Sequence, residues 1–341
     1  MEKVTIKDVA KTAGVSIATV SRVINKNYYV SSEVENKVLL AIEKLNYYPN
    51  SIARSLKINS TNTIGFLVSD VANTYFTTMA KALEDVISKE NYSLIVCSTE
   101  NKKERELTYL ELLKSKKVDA LVLNTTGKND DFVISMSHNL PIVTVNRRIG
   151  SSDFRGDFFD SDNIQGTYLL TKHLLSLGHR KIFTLNGPFH LSTGYERYEG
   201  FKMAMGEIGV EVDNKHLYQY QGNFTLDSGF QGAAYMMSLE DRPTAILVMN
   251  NMMAIGVLKY FKMHEIDIPG EISIASYGNI ENLELMSTQP SITSFDPTVI
   301  GKRIGEVLLE RIKNNTLANR EMIYQPQLII GNGVRSIKEK N

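Results

Sequence analysis

Residues 4–57 constrain this chain more than any other stretch, because helix starts, corners and stops follow one another too closely for anything but short packed helices. Thr5-Ile6-Lys7-Asp8 reads as a capping-box-like start. Ile6, Val9, Ala10 and Ala13 then recur on one helical face. Gly14 permits the positive-φ corner between two helices. Ser16 is a good N-cap for a second helix spanning roughly Ile17 to Asn25. Val20 and Val23 can meet the first helix, while Ile17, Ala18, Ser21, Arg22 and Asn25 point elsewhere. Ser31 or Ser32 caps a third helix, whose Val34, Val38, Ala41, Ile42 and Leu45 form a core stripe. A short helical tail carrying Leu56 follows. The pattern fits a helix-turn-helix, although short surface helices of a larger α/β protein would share it.

Charge tips the balance a little toward the first reading. Residues 1–60 hold nine Lys+Arg against five Asp+Glu, and the rest of the neutral chain holds 29 against 33. A basic head on an acidic body suits a nucleic-acid-reading module attached to something else.

From Thr61 onward, short apolar runs alternate with helical patterns. Ile64–Val68, Leu94–Cys97, Ala120–Leu123 and Pro141–Val145 form a first strand series. Lys181–Leu185, Thr244–Val248 and Ile272–Ser276 form a second. Continuous apolar strands separated by helices predict parallel sheets buried on both faces, here two successive doubly wound lobes. The expected organisation is a head over 1–60 and a core over 61–335. The core's first lobe takes about 61–160 and 292–322, its second about 161–291 and 323–335, and 336–341 is a tail. Lys57–Thr63 is the expected linker.

Ligands of such sheets sit beyond the carboxyl ends of the strands. That rule selects Asp70, Asn73, Thr74, Tyr75 and Phe76 after the first strand and Asn146 after the fourth. Phe159, Arg197, Phe224, Asn250 and the turn Tyr277-Gly278-Asn279 stand further on. Planar polar groups with a few aromatics suit a hydroxylated small molecule.

No catalytic constellation stands out. The six histidines are scattered, with no metal-spaced pair. No nucleophile elbow, dinucleotide fingerprint or phosphate loop occurs. No enzyme activity, metal or cofactor is therefore expected. Cys97 is a lone cysteine, read as a small core residue and compatible with a reducing cytoplasm. Neither a signal-type apolar stretch nor a membrane-length run is present, which points to a cytoplasmic chain without membrane association.

Val4-Thr5-Ile6-Lys7-Asp8-Val9-Ala10, Ala13-Gly14-Val15-Ser16, Ala18–Asn25 and Tyr48-Pro49-Asn50-Ser51-Ile52-Ala53-Arg54-Ser55-Leu56 resemble the LacI/GalR family of bacterial transcription regulators, and the resemblance runs to about residue 335. It implies a three-helix head with a hinge helix, then a two-lobed core like periplasmic binding proteins. The implied partners are double-stranded pseudo-palindromic operator DNA, a second copy of the chain and a small effector in the cleft.

The second helix would enter the major groove, with Ile17, Ala18 and Arg22 on base edges. Thr19, Ser21 and Asn25 would serve phosphates, with Thr5 and Ser16 at the helix starts. Asn50 would cap the hinge helix containing Ala53, and Leu56 resembles the family's minor-groove wedge. Arg197 and Asn250 match effector-contact positions.

Three positions depart from the family pattern. Asn251 and Gly278 stand where acids are usual, and Asn146 where an acid is common. Loss of carboxylates with retention of Arg197 leans toward a neutral or anionic effector, such as a sugar, sugar acid or sugar phosphate. The expected function is a repressor of a carbohydrate operon. The alternatives are control by a nucleoside-type effector or a phosphoprotein corepressor and, more remotely, a solute-binding protein.

Overall fold

The computed structural model describes residues 4–25, 28–47, 60–212 and 218–337, with Asn25 described by its backbone alone. It divides into two compact units, Met1–Thr61 and Asn62–Asn341.

The first unit contains α1 (Ile6–Ala13), α2 (Ile17–Asn25) and α3 (Ser32–Lys44). The Asp8 carboxylate accepts from the Thr5 backbone N–H at 2.8 Å and from its hydroxyl at 2.7 Å, which fixes the start of α1. Gly14 adopts φ +65° and ends α1 with its N–H on the Ala10 and Lys11 carbonyls, the left-handed stop that lets α2 begin three residues later. Val9, Ala10, Val20, Val23, Val38 and Ala41 form the small buried core, flanked by Ile6, Ala13, Ile42 and Leu45.

The second unit holds two six-stranded sheets. In the first, β1 (Thr63–Val68) lies between β2 (Ser93–Ser98) and β3 (Ala120–Leu123), followed by β4 (Ile142–Val145), β5 (Asp157–Ser161) and β11 (Glu321–Tyr324). The second places β6 (Ile182–Asn186) between β7 (Gln219–Gln221) and β8 (Ala245–Val248), followed by β9 (Ser273–Tyr277), β10 (Ser291–Ser294) and β12 (Gln327–Ile329). The recorded pairings are parallel except β10 with β12.

Helices cover both faces. The first lobe carries α4 (Thr74–Ile87), α5 (Lys103–Ser115), α6 (Asp130–Ser137) and α11 (Pro297–Lys313). The second carries α7 (Asn163–Ser176), α8 (Ser192–Gly206), α9 (Leu226–Met237) and α10 (Asn251–Met263). The first lobe's core lies in two clusters, one around Phe66, Leu83 and Ile304, the other around Leu67, Leu110 and Leu121. Phe183, Phe201, Phe261 and Ile246 anchor the second lobe.

The lobe boundaries differ from the sequence reading. β5 extends through Ser161, so the first crossing falls at Asp162. Ser291–Ser294 pairs with β9, which keeps it in the second lobe and moves the return crossing from 292 to Phe295–Asp296. Glu321–Tyr324 pairs along all its length with β5, so the last crossing follows Tyr324 instead of residue 322. Strand β2 also departs from full burial: as an edge strand it leaves Ile95 and Val96 each 39% exposed. Cys97, on that edge, is half-buried and packs against the core cluster around Leu67, Leu110 and Leu121.

Candidate functional site

In the head, α2 turns one side to the core and the other to solvent. Val20 and Val23 are buried, whereas Ile17, Ala18 and Arg22 are exposed. Ser16 caps the helix, its hydroxyl accepting from the Thr19 N–H at 3.1 Å and lying 2.9 Å from the Thr19 hydroxyl. The Arg22 guanidinium lies 5.4 Å from the centre of the Tyr28 ring. Thr5, held by Asp8, stands at the exposed start of α1. Ser21 is half-buried. The Asn25 side chain, and Asn50, Ala53 and Leu56 with the hinge helix expected there, lie outside the described residues.

In the core, the carboxyl ends of the two sheets face each other across a cleft whose inner chamber measures about 500 Å³. The residues singled out after the strands converge on it: Asp70, Asn73, Phe76, Asn146, Arg197, Phe224, Asn250, Gly278 and Asn279 all line the chamber, as does Tyr75. Thr74 lies outside the lining and opens α4. Phe159 is the exception. It is fully buried in the first lobe's core, because it lies two residues back from the carboxyl end of β5, and Ser161, the strand's last residue on the same face, reaches the chamber instead.

Helix starts position several of these groups. Asn73 caps α4 by accepting from the Tyr75 N–H at 3.1 Å, and Asn250 caps α10 by accepting from the Met253 N–H at 2.8 Å. Between them, Asn73 and Asn251 exchange side-chain hydrogen bonds across the cleft, 3.3 Å in one direction and 3.0 Å in the other. Asn251, half of this clasp, is the residue that replaces the usual acid. Gly278 adopts φ +94°, so the turn requires glycine and no side chain enters the chamber there. Asn146, at φ +60°, accepts from the Tyr75 hydroxyl at 3.0 Å.

Arg197 is the electrostatic centre. Its Nε donates to Asn163 Oδ1 at 2.8 Å and its Nη1 to the Met249 carbonyl at 2.6 Å. The guanidinium stacks 3.8 Å from the Tyr277 ring centre and lies 5.7 Å from that of Phe224. Phe224 is itself pressed onto Gly187, where a Cβ would stand 1.9 Å from the ring. Burial raises the Asp160 carboxyl to about 8, against the pull of Arg197. Burial likewise pushes the Tyr277 phenol up to about 12 and drives Tyr75 higher still.

Sequence reading missed Arg147, Asn124 and Thr193, which also line the chamber. Arg147 is buried, with Nη1 on the Thr125 carbonyl at 2.8 Å, and desolvation lowers its guanidinium to about 10. Asn124 Oδ1 and Thr193 Oγ1 are buried atoms with no hydrogen-bond partner. Such groups are costly to leave unsatisfied, and a bound molecule would complete them. Position after a strand could have flagged Asn124; Thr193 had no comparable signal. Among the described residues, no cluster of His, Cys, Asp and Glu could hold a metal, and no helix is long and apolar enough to cross a membrane.

A helix-turn-helix head joined to a two-lobed cleft core defines a class: a DNA-binding regulator with a periplasmic-binding-protein-like body. Residues 5–50 match the bacterial regulatory proteins of the lacI family, and residues 61–332 match the periplasmic binding proteins and sugar binding domain of the LacI family. The chain belongs to the LacI family of transcription regulators. It is 36% identical over 334 residues to the HTH-type transcriptional repressor PurR of Vibrio vulnificus, an alignment covering 98% of this chain and 99% of that protein. The lac repressor bound to ONPG in its repressed state shares 25% identity at a TM-score of 0.81, covering 97% and 100% of the two chains. A ribose-bound LacI-family regulator from Enterococcus faecium shares 23% identity at a TM-score of 0.70, covering 81% and 100%.

Proposed function

We propose that this protein is a cytoplasmic repressor that reads a pseudo-palindromic operator as a homodimer and is controlled by a small ring compound bound between its core lobes. The observation that carries the effector is the pair of unsatisfied buried atoms, Asn124 Oδ1 and Thr193 Oγ1, in a chamber that also holds Arg197. They ask for a ligand bearing both donors and acceptors.

Two ring classes fit that demand. A carbohydrate satisfies the amide-rich lining. A nucleoside-type ring, whose flat face matches Phe224, is better supported, because the relatives aligned over the whole chain are repressors named PurR. The ribose-bound neighbour, at 23% identity, bears on fold alone. Exposed Ile95 and Val96 on edge strand β2 favour a dimer, since a second copy would cover them.

On the operator, Ile17, Ala18 and Arg22 would read bases from the major groove, with Thr5, Ser16, Thr19, Ser21 and Asn25 near phosphates. Asn50, Ala53 and Leu56 would form the minor-groove element.

The test is operator binding by fluorescence anisotropy with a panel of sugars, sugar acids, nucleobases and nucleosides. One compound should shift operator affinity, and Arg197→Ala should abolish that shift while binding without compound stays near wild type. Arg197 also supports Asn163 and Met249, so the melting temperature of the variant is the fold control. A wild-type response in Arg197→Ala would place the effector elsewhere. No response to any compound would favour a protein corepressor.

A further inference from the structure

Beside the inner chamber lies a second cavity of about 360 Å³, bounded by Lys128, His190, Leu191 and Asn223 and sharing Arg147 and Phe224 with the first. The charges here are unbalanced. Arg147 is only 4% exposed and among the described residues forms no ion pair; Glu106, itself buried, and Arg197 are the charges it feels. Among the described residues, Nη1 is the one guanidinium nitrogen with a protein acceptor, the Thr125 carbonyl. The acid at the rim, Glu100, is already held by Lys102 and Arg105. Leu191 stands at the N-cap of the 15-residue helix α8, where no side chain caps the helix and its positive end meets the cavity.

We propose that the effector is a phosphate ester, with its ring in the inner chamber and its phosphate in this outer one, gripped by Arg147, Lys128 and His190. This rests on the effector-controlled reading above and names the chemical class. A carboxylate attached directly to the ring would stay beside Arg197. A group that reaches past Phe224 must be carried on an exocyclic linking atom, as a phosphate ester is. A phosphomonoester also brings between one and a half and two negative charges, enough to compensate Arg147 and Lys128. Asn101, whose Oδ1 is another buried atom without a partner, lines both cavities and can accept a ring hydroxyl near the junction.

Calorimetry on the full-length protein with matched pairs tests the assignment: ribose and ribose 5-phosphate, glucose and glucose 6-phosphate, adenosine and adenosine monophosphate. Inorganic phosphate serves as a minimal probe by thermal shift. One ester should bind at least tenfold tighter than its parent, and the pair that shows this separates sugar phosphate from nucleotide. The Lys128→Ala/His190→Ala double variant, altered only at exposed positions, should reduce that preference at least fivefold without changing affinity for the unphosphorylated parent. Arg147→Lys should reduce it further, and retains a charge at a buried position where Arg147→Ala would leave the Thr125 carbonyl without its partner. Equal affinity for ester and parent, a preference that survives these variants, or no binding of any ester or of phosphate would overturn the assignment. An uncharged compound that moves operator affinity through Arg197 would leave the repressor reading intact while removing the phosphate. Ester binding with no change in operator affinity would support the subsite and remove effector control.

Discussion

Replacing Asn251 with Ala removes one of the contacts that join the two lobes across the cleft, alongside the Ser161–Tyr277 hydroxyl pair and the Arg148 N–H on Ser192. Asn251 and Asn73 are both more than nine-tenths buried, and they exchange two amide hydrogen bonds. Each such bond contributes about 0.5–1.5 kcal/mol net, so the clasp is worth about 1–3 kcal/mol. That corresponds to a shift of roughly 5- to 150-fold in the equilibrium between joined and separated lobes. A ligand that touches both lobes binds in proportion to the joined population, so its dissociation constant should rise by up to the same factor. Asn251 is the partner to remove, although its Oδ1 also accepts from the Met252 N–H at 2.9 Å. Asn73 also caps α4, and its loss would cost about 0.5–2 kcal/mol of helix stability besides. Titration calorimetry with the active compound gives the affinity, and small-angle scattering of the ligand-free protein gives the lobe separation. In a double-mutant cycle with Asn73→Ala, the effects on affinity should be markedly less than additive. Unchanged affinity and radius of gyration in Asn251→Ala, or fully additive losses, would refute the clasp as a determinant of lobe closure.

Three further outcomes are expected. Arg22→Ala should cost about 1–3 kcal/mol of operator affinity and relax preference at one base pair per half-site; equal losses on operator and random DNA in gel shifts would reduce Arg22 to a phosphate contact. Arg311→Ala should destabilise the core by about 3–5 kcal/mol in urea denaturation, because Asp157 is fully buried and loses two guanidinium bonds of 2.6 Å each. A loss below about 1 kcal/mol would show that the Arg320 N–H, which also donates to Asp157, compensates. Asp160 titrates near 8 in the folded protein against an ordinary value of 3.8, so the folded state holds a proton that the unfolded state releases between these limits. Its contribution to stability is full below about pH 4 and is lost as pH rises toward 8. Relative to Asp160→Asn, the wild-type melting temperature should fall between pH 5 and pH 8, and parallel curves would mean that Asp160 stays ionised.

Local sequence determined the head. Capping at Thr5, the corner at Gly14 and the apolar spacing of Val9, Val20, Val23 and Val38 are short-range signals, and each was found in its expected place. The apolar runs of β1, β3, β4, β6, β8 and β9 were legible for the same reason: strands buried on both faces admit few polar residues. Strand β10, with the sequence Ser-Ile-Thr-Ser, gave no such signal, and β5 carries Asp157 and Asp160. β5 is a strand because tertiary partners, Arg311 for Asp157 and Asn163 for Asp160, satisfy its carboxylates, and β10 is one through its pairing with β9 and β12. Membership of a lobe depends on pairing between segments far apart in the chain, which periodicity does not encode. That is why the crossings expected near 160, 292 and 322 took their places, at Asp162, at Phe295–Asp296 and after Tyr324, only in three dimensions. The same holds at the site. The rule that ligands gather at strand ends located Asn73, Arg197 and Asn250, but where β5 ends in the packed fold excluded Phe159, inside the strand, and admitted Ser161 at its carboxyl end. The clasp between Asn73 and Asn251, 178 residues apart, exists because two helix N-termini meet across the cleft, and the packing of the two lobes alone decides that.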